Sequence, residues 1–529
     1  MKKQIGFDKS DLFLLCYVAL LCSCWCIALL EYPEGVTLDD GWIHLSFARN
    51  LCRNHVWSIN PQEGVSGGAS SILWVLLLAG GYLFTDNGVW MSYFYNFVFL
   101  GCLSLLQRRF IEEIFQSWRH WKIILASLFI ISVGNLIWFA FSGMETLAFV
   151  VPGLSSIYFA SRKEYVLAGI FSFFIALVRP EGIIVAVIVA VLVRRKPKAS
   201  FWIFLSGFSG FVLTCFWNYY LTGTILPSTL IGRRWIIGAS MSAEMNPVRV
   251  IVNFFRIVGI WGYRLMEFGF GEALLVKIGF PNWLAWAIAG CGGLLCVVGF
   301  FRYLDKMRFC TKGLFAWVLL MIFAYSVMMP TRGHAGRYQP MTIVFAMICF
   351  LLGIDFFWRL KIKFMTPVKF GVVGLIVMSL CSVYIWCRIT QMSLLHIDRV
   401  HISAARWIDK NTPDDSKIAA FDIGALAYFG NRRIIDLGGL IDPEAGIAMY
   451  ERSVVRYIHD KKADYLMMIF PYTQPDIYIN ALGLDEMIAN NQLELLSQFH
   501  IDIVQPYWPG EAERLLTNTI KVYRVKYLN

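Results

Sequence analysis

The chain has 529 residues, of which 58% are hydrophobic and 16% charged, with a mean hydropathy of +0.59. Those proportions exclude an ordinary soluble protein. The formal net charge of +11 does not indicate a nucleic-acid partner, because most Lys and Arg sit in short clusters between apolar segments and no RNA- or DNA-binding motif accompanies them.

The first apolar segment, from about Leu12 to Leu30, is long enough to cross a bilayer as a helix. It is longer than the apolar stretch of a secretory signal, ends in Glu31-Tyr32-Pro33 and shows no convincing cleavage site, so a retained helix is expected. Met1-Lys2-Lys3 ahead of it favours a cytoplasmic N-terminus. Cys16, Cys22, Cys24 and Cys26 within it lack CxxC spacing and His partners, so they read as small apolar filler rather than ligands.

Asp39 and Asp40 then emerge on the outer face, a carboxylate pair placed for chemistry on a lipid-borne substrate. Adjacent residues on a helix point about 100° apart, so one acid can serve as base while the other caps the helix. From Asp40, His44, Phe47 and Ala48 recur at helical spacing with Arg49 adjacent, which predicts a short amphipathic helix over Gly41–Arg53 lying on the membrane, with Trp42 and Trp57 at the interface. Ser71 to Phe84 is apolar but short and contains Gly80-Gly81. If it spanned, the basic loop after it would fall outside; if it is interfacial or re-entrant, all later basic clusters fall inside. Those clusters are Arg108/Arg109, Arg162/Lys163, Arg194/Arg195/Lys196/Lys198, Arg302/Lys306/Arg308/Lys312 and Arg359/Lys361/Lys363/Lys369. The positive-inside bias prefers the second arrangement.

The prediction is therefore a polytopic α-helical membrane protein of about eleven transmembrane helices, N-terminus in the cytoplasm and C-terminus outside. The spans are 12–30, 88–106, 122–141, 145–160, 165–179, 182–193, 200–220, 282–301, 313–329, 340–357 and 369–387. They make residues 1–387 one module, with an outer first loop at 31–87. This topology brings the unusual polar residues of several loops to one side: Asp39 and Asp40, Glu145, Arg179 with Glu181, Arg233 and Arg234, then Arg332, His334, Arg337 and Tyr338. Outer arginines run against the charge rule, and a guanidinium matches phosphate oxygens bidentately, so a phosphate or pyrophosphate at headgroup level is the expected ligand. Pro-Glu at a helix start is also ordinary first-turn chemistry, and His334 also reads as a solvated loop histidine.

From about Arg388 the pattern changes to that of a water-soluble α/β domain over 388–529 on the extracytoplasmic side. Ile397–Asp409 reads as an amphipathic helix; Ile418–Phe421, Arg433–Leu437 and Tyr465–Ile469 suit buried strands, and Thr519–Val525 an edge strand. Asp422, Asp436 and Asp442 fall at strand ends, where acids usually form loops.

These residues resemble the GT-C class of integral membrane glycosyltransferases, which take sugar from a polyprenyl-phosphate carrier. The likeness is closest to the bacterial group that includes arabinofuranosyltransferases and mannosyltransferase-like proteins. Asp39-Asp40-Gly41-Trp42-Ile43 is similar to that group's Asp-Asp-Ala-Tyr/Trp-Ile. Ala48-Arg49-Asn50-Leu51, Asn60-Pro61, Ser71-Ile72-Leu73-Trp74, Ser142-Gly143-Met144-Glu145-Thr146, Arg179-Pro180-Glu181-Gly182 and Arg337-Tyr338 follow in order. The soluble domain joins through Asp422-Ile423-Gly424-Ala425-Leu426 and Arg433-Ile434-Ile435-Asp436-Leu437. Departures are small: Ile72 stands for a proline and Gly41 for an alanine.

The resemblance implies an enzyme of the bacterial inner membrane that moves a sugar from a polyprenyl-phosphate-linked donor to a glycan, lipid or protein acceptor at the periplasmic face. It implies Asp39 as general base and Asp40 in support or on a metal, and it leaves the sugar open. His44, Arg49, Glu145, Arg179, Glu181, Arg233, Arg234, His334, Arg337 and Tyr338 are the candidate substrate-binding residues. A divalent cation (Mg, Mn or Ca) is compatible with Asp39 and Asp40, though no spacing demands one. Two other classes remain: a transporter or flippase of lipid-linked saccharides, which the near absence of mid-span charges and of an internal repeat disfavours, and a phosphotransferase acting on lipid headgroups.

Overall fold

The computed structural model describes residues 7–225, 227, 229–230, 250–259, 281–305, 307–328, 336–359, 365–471, 476–502 and 517–527. Arg233, Arg234 and His334 lie outside them.

Helices dominate the first module. Lys9–Ala28, Gly88–Ile114, Pro197–Thr222, Asn282–Leu304, Phe309–Val327 and Pro340–Arg359 are each long and apolar enough to cross a membrane. His120–Ile131 and Gly134–Ala140 together make a seventh candidate, bent by 60° at the break between them. Thr146–Ser161, Tyr165–Val178 and Pro180–Leu192 are shorter apolar helices lying on three further expected spans. The last expected span falls on Met365–His396, a continuous helix of 32 residues. Ile72–Tyr82 has 11 residues, about 16 Å of helix, roughly half a hydrocarbon core. The chain is a multi-pass membrane protein, and the expected elements are present as helices.

Burial sorts these helices. Pro340–Arg359 is two-thirds buried (67% of its apolar window) and sits centrally, whereas Pro197–Thr222 (22%) and Asn282–Leu304 (24%) keep broad apolar faces open, as a lipid-facing surface does. Asn282–Asp305 still touches the central helix closely. A Cβ at Gly353 would lie 2.1 Å from the Leu295 carbonyl oxygen, so only glycine lets the two backbones meet. At the N-terminal end, Arg108 is buried within Gly88–Ile114, not in a loop, and is held by Asp8 (2.6 Å), Asp11 (2.6 Å) and Glu112 (2.9 Å).

The helix Asp39–Asn54 departs from expectation. It is amphipathic in sequence, yet Trp42, Ile43, His44, Leu45, Phe47 and Ala48 are all buried. Trp42 packs on Tyr428 and Phe429 (centroids 4.8 Å in both cases) and Trp57 on Phe47 and Trp217. It is a wedge between the helical module and the C-terminal domain; its second apolar partner is protein, which periodicity alone does not reveal.

Met365–His396 runs through a π-helical turn, Ile397–Ile402, into Ser403–Asn411, where the chain leaves for a five-stranded sheet. The strands are β1 (Lys417–Ala420), β2 (Arg433–Asp436), β3 (Tyr465–Pro471), β4 (Leu493–His500) and β5 (Thr517–Val525), in the order β2-β1-β3-β5-β4. β1 is parallel to β2 and β3, with Ile418 opposite Ile434 and Tyr465; β5 is antiparallel to β3 and β4. The expected edge strand at 519–525 is therefore internal. β4, whose polar LELLSQFH carries little strand signal, takes the edge instead.

Candidate active site

The two acids occupy the first turn of Asp39–Asn54, after Leu38 in extended conformation. Because neighbouring helical side chains diverge, they serve different partners. Asp39 turns to the C-terminal domain: its Oδ2 accepts from the Gly424 N–H (2.7 Å), its Oδ1 from the Ala425 N–H (2.8 Å), and His401 Nδ1 stands 3.5 Å away. Asp40 turns to a cavity of about 440 Å³, where its Oδ2 accepts from Arg337 Nη2 at 2.6 Å.

That cavity gathers seven of the expected residues: Asp40, His44, Glu145, Arg179, Glu181, Arg337 and Tyr338. His44 follows Asp40 by one helical turn, on the same face, and its Nε2 lies 3.3 Å from Glu145 Oε2, both residues buried. Arg179 precedes Pro180, which holds it extended (φ −152°, ψ 136°) and ends the helix Tyr165–Val178 there. Its side chain turns inward, with Nε 3.6 Å from Glu145 and 3.2 Å from Glu181. Tyr325 completes this group by donating to Glu181 Oε1 at 2.9 Å. The Tyr338 ring lies between two guanidinium groups, Arg179 at 4.8 Å and Arg337 at 5.0 Å, a cation–π arrangement that holds like charges close. The other wall is apolar: Ile183, Ile184, Phe211, Ile225 and Leu230 line it.

Arg337 is 5% exposed, yet its Nε and Nη1 have no partner among the described residues. Leaving charged N–H groups buried and unpaired costs roughly 1–3 kcal/mol or more. The chemistry that removes this cost is an anion with several oxygens.

Two expected residues lie elsewhere. Asp39 does not line the cavity. Arg49 does not line the cavity; it donates to the carbonyls of Tyr428 (2.8 Å) and Ala427 (3.2 Å) and stacks over the Tyr428 ring at 4.3 Å. Among the described residues the cavity acids are charge-paired: Asp40 with Arg337, Glu145 with His44 and Arg179, and Glu181 with Arg179, which Tyr325 joins by a hydrogen bond to Glu181.

Sequence reasoning missed Tyr325, His401 and the Leu440 contribution to the cavity wall. It read Asp422 as a loop former, but its carboxylate faces His401 at 3.9 Å, across from Asp39. Burial, and then the Asp39 and Asp40 charges, push the Asp422 carboxyl up to about 7, against the pull of His401. Burial lowers the His401 imidazole, but the hydrogen bond and charge of Asp39, with the charge of Asp422, raise it above its ordinary value overall. Asp436 and Asp442 do form loops, accepting from the Gly438 and Ile441 N–H and from the Glu444 N–H.

Comparisons with known proteins agree with this architecture. The apo oligosaccharyltransferase of Archaeoglobus fulgidus is similar with a TM-score of 0.54 at 13% identity, over 92% of this chain and 73% of that one. The oligosaccharyltransferase AglB of the same organism, in complex with an inhibitory peptide and a dolichol-phosphate, gives 0.52 at 13% identity, over 97% and 75%. Apo ArnT from Cupriavidus metallidurans gives 0.51 at 12% identity, over 97% of each chain. The chain thus has the fold of the GT-C class of polyprenyl-phosphate-dependent membrane glycosyltransferases. A family model described as a domain of unknown function (DUF8728) matches residues 390–522. No curated protein sequence matches.

Proposed function

We propose that this protein transfers a sugar from a polyprenyl-phosphate donor to an acceptor hydroxyl or amine at the periplasmic face of a bacterial inner membrane, across about eleven spans. The observation that carries the reading is Arg337: a buried guanidinium whose Nε and Nη1 have no partner among the described residues, beside Asp40, in a cavity with one charged and one apolar wall. A lipid phosphate needs that combination, an anion site next to a greasy channel. Arg233, Arg234 and His334 remain candidates for the same donor.

The proton-accepting role falls to Asp40 rather than Asp39, since Asp39 has both oxygens occupied by backbone amides. The Asp40 carboxylate takes the acceptor's proton as its oxygen or nitrogen attacks the anomeric carbon. The bond from that carbon to the phosphate oxygen breaks, and its electron pair leaves with the polyprenyl phosphate, whose charge Arg337 and Arg179 stabilise. The charge-paired acids support a reaction in which fixed guanidinium groups do the work of a metal.

Purified protein in lipid nanodiscs, given a panel of labelled polyprenyl-phosphate sugars and membrane extract as acceptor, should release polyprenyl phosphate from one of them. Asp40→Asn should lower that turnover by about 10²–10⁴-fold, the usual contribution of a positioned base. Translocation of the labelled lipid across the bilayer without any acceptor would support the transporter reading instead, and transfer of the phosphate itself the phosphotransferase reading.

A further inference from the structure

The C-terminal domain grips the helix that carries both acids at several points. Asp39 holds the Gly424 and Ala425 amides, and Arg49 holds the Ala427 and Tyr428 carbonyls at the other end of the same short segment, Gly424–Phe429. Beyond the helix, Asn60 pairs reciprocally with the Ile434 backbone, donating at 2.8 Å and accepting at 3.0 Å. The approach at Asp39 is close: a Cβ at Gly424 would lie 2.0 Å from the Asp39 carbonyl oxygen and 2.7 Å from its Oδ2. The same domain reaches the cavity, because Leu440 lines it on a loop that Asp436 shapes.

Asp39 and Asp40 are consecutive in one helical turn, so anchoring the backbone at Asp39 sets the Cα–Cβ direction of Asp40 about 100° away. We propose that Asp39 is a positioning residue: by binding the Gly424 and Ala425 amides it docks the C-terminal domain and aims Asp40 at Arg337 and the cavity, so that turnover requires the docked domain. The kinetic part rests on the glycosyl-transfer reading; the docking rests on the contacts alone. Among the described residues, Arg337, His401 and Asp422 are charged or titratable groups that face the acid pair from the neighbouring elements.

The test compares Asp39→Asn, Gly424→Ala and Asp40→Asn in the full chain, by pH–rate profile and by hydrogen exchange at 39–44 and 424–429. Asn would set an NH2 group against a backbone N–H, and Gly424→Ala disturbs the same joint from the other side while leaving both acids in place. Both should lower kcat by about 10–100-fold, the scale of a misplacement near 1 Å, speed exchange in both segments, and keep the acid limb of the profile. Asp40→Asn should remove that limb and leave exchange at 424–429 as it was. The proposal is overturned if Asp39→Asn loses the acid limb, or if Gly424→Ala leaves rate or exchange unchanged. Exchange needs no substrate, so it decides the docking even if the unsubstituted chain transfers no sugar, a result that would count against the glycosyl-transfer reading alone.

Discussion

Arg337 and Arg179 divide the work of holding an anion between a cation with spare donors and one already satisfied. Arg179 has Glu145, Glu181 and two aromatic faces around it, so it is a rigid charge; Arg337 keeps its Nε and Nη1 without a partner among the described residues. Arg337→Lys retains the charge and loses the fork. It should raise KM for the donor more than it lowers kcat, with a loss in kcat/KM of about tenfold or more, as expected for a charge-assisted hydrogen bond. Since every cavity acid is charge-paired, chelation with EDTA should leave turnover unchanged; restoration of lost activity by Mg or Mn would refute the metal-free chemistry. Arg108 is a different case. It is buried and pairs with Asp8, Asp11 and Glu112, but Arg109 also holds Asp11 and Glu112 and Asp8 is partly exposed, so Arg108→Ala should cost less than the about 3–5 kcal/mol of a fully stranded buried pair and lower the thermal midpoint in detergent.

The joint between the helix Asp39–Asn54 and the C-terminal domain holds three titratable groups within reach of one another: Asp39, His401 and Asp422. His401 and Asp422 both bind protons more tightly when docked than in solvent. The docked form therefore carries more protons, and stability falls as pH rises. For Asp422 the loss starts above the usual carboxylate value and is complete near its raised value of about 7; for His401 it continues as pH passes its own raised value. Amides of 424–429 should accordingly exchange faster at about pH 9 than at about pH 6, after correction for intrinsic rates. Exchange that is equal or slower at the higher pH would show that protonation of His401 and Asp422 does not hold the joint.

At the scale of the whole molecule, the proposed topology puts Arg194–Lys198 on the cytoplasmic side and the sheet domain with the cavity on the other. With the N-terminus in the cytoplasm, trypsin added to spheroplasts should cut in the exposed Arg452–Lys462 stretch of the sheet domain, while inverted vesicles should be cut at Arg194–Lys198 instead. The reverse pattern would move the cavity to the cytoplasmic face and remove the periplasmic reading.

Each expected span falls on a helix, because apolar length is a local property of the chain, but only six of those helices, or seven with the bent pair, are long and apolar enough to cross a membrane among the described residues, fewer than the eleven expected. The gathering of Asp40, Glu145, Arg179, Glu181 and Arg337 in one cavity was legible for the same reason: topology sorts loops by side. Which acid faces the cavity was not legible. Asp39 and Asp40 are the same residue type in consecutive positions, and the choice between them is made by the Gly424 and Ala425 amides, 385 and 386 positions further along. Burial of the helix Asp39–Asn54 on both sides and the placing of β5 inside the sheet were hidden likewise. A hydrophobic face written in sequence states that it will be covered, and only the tertiary structure decides what covers it.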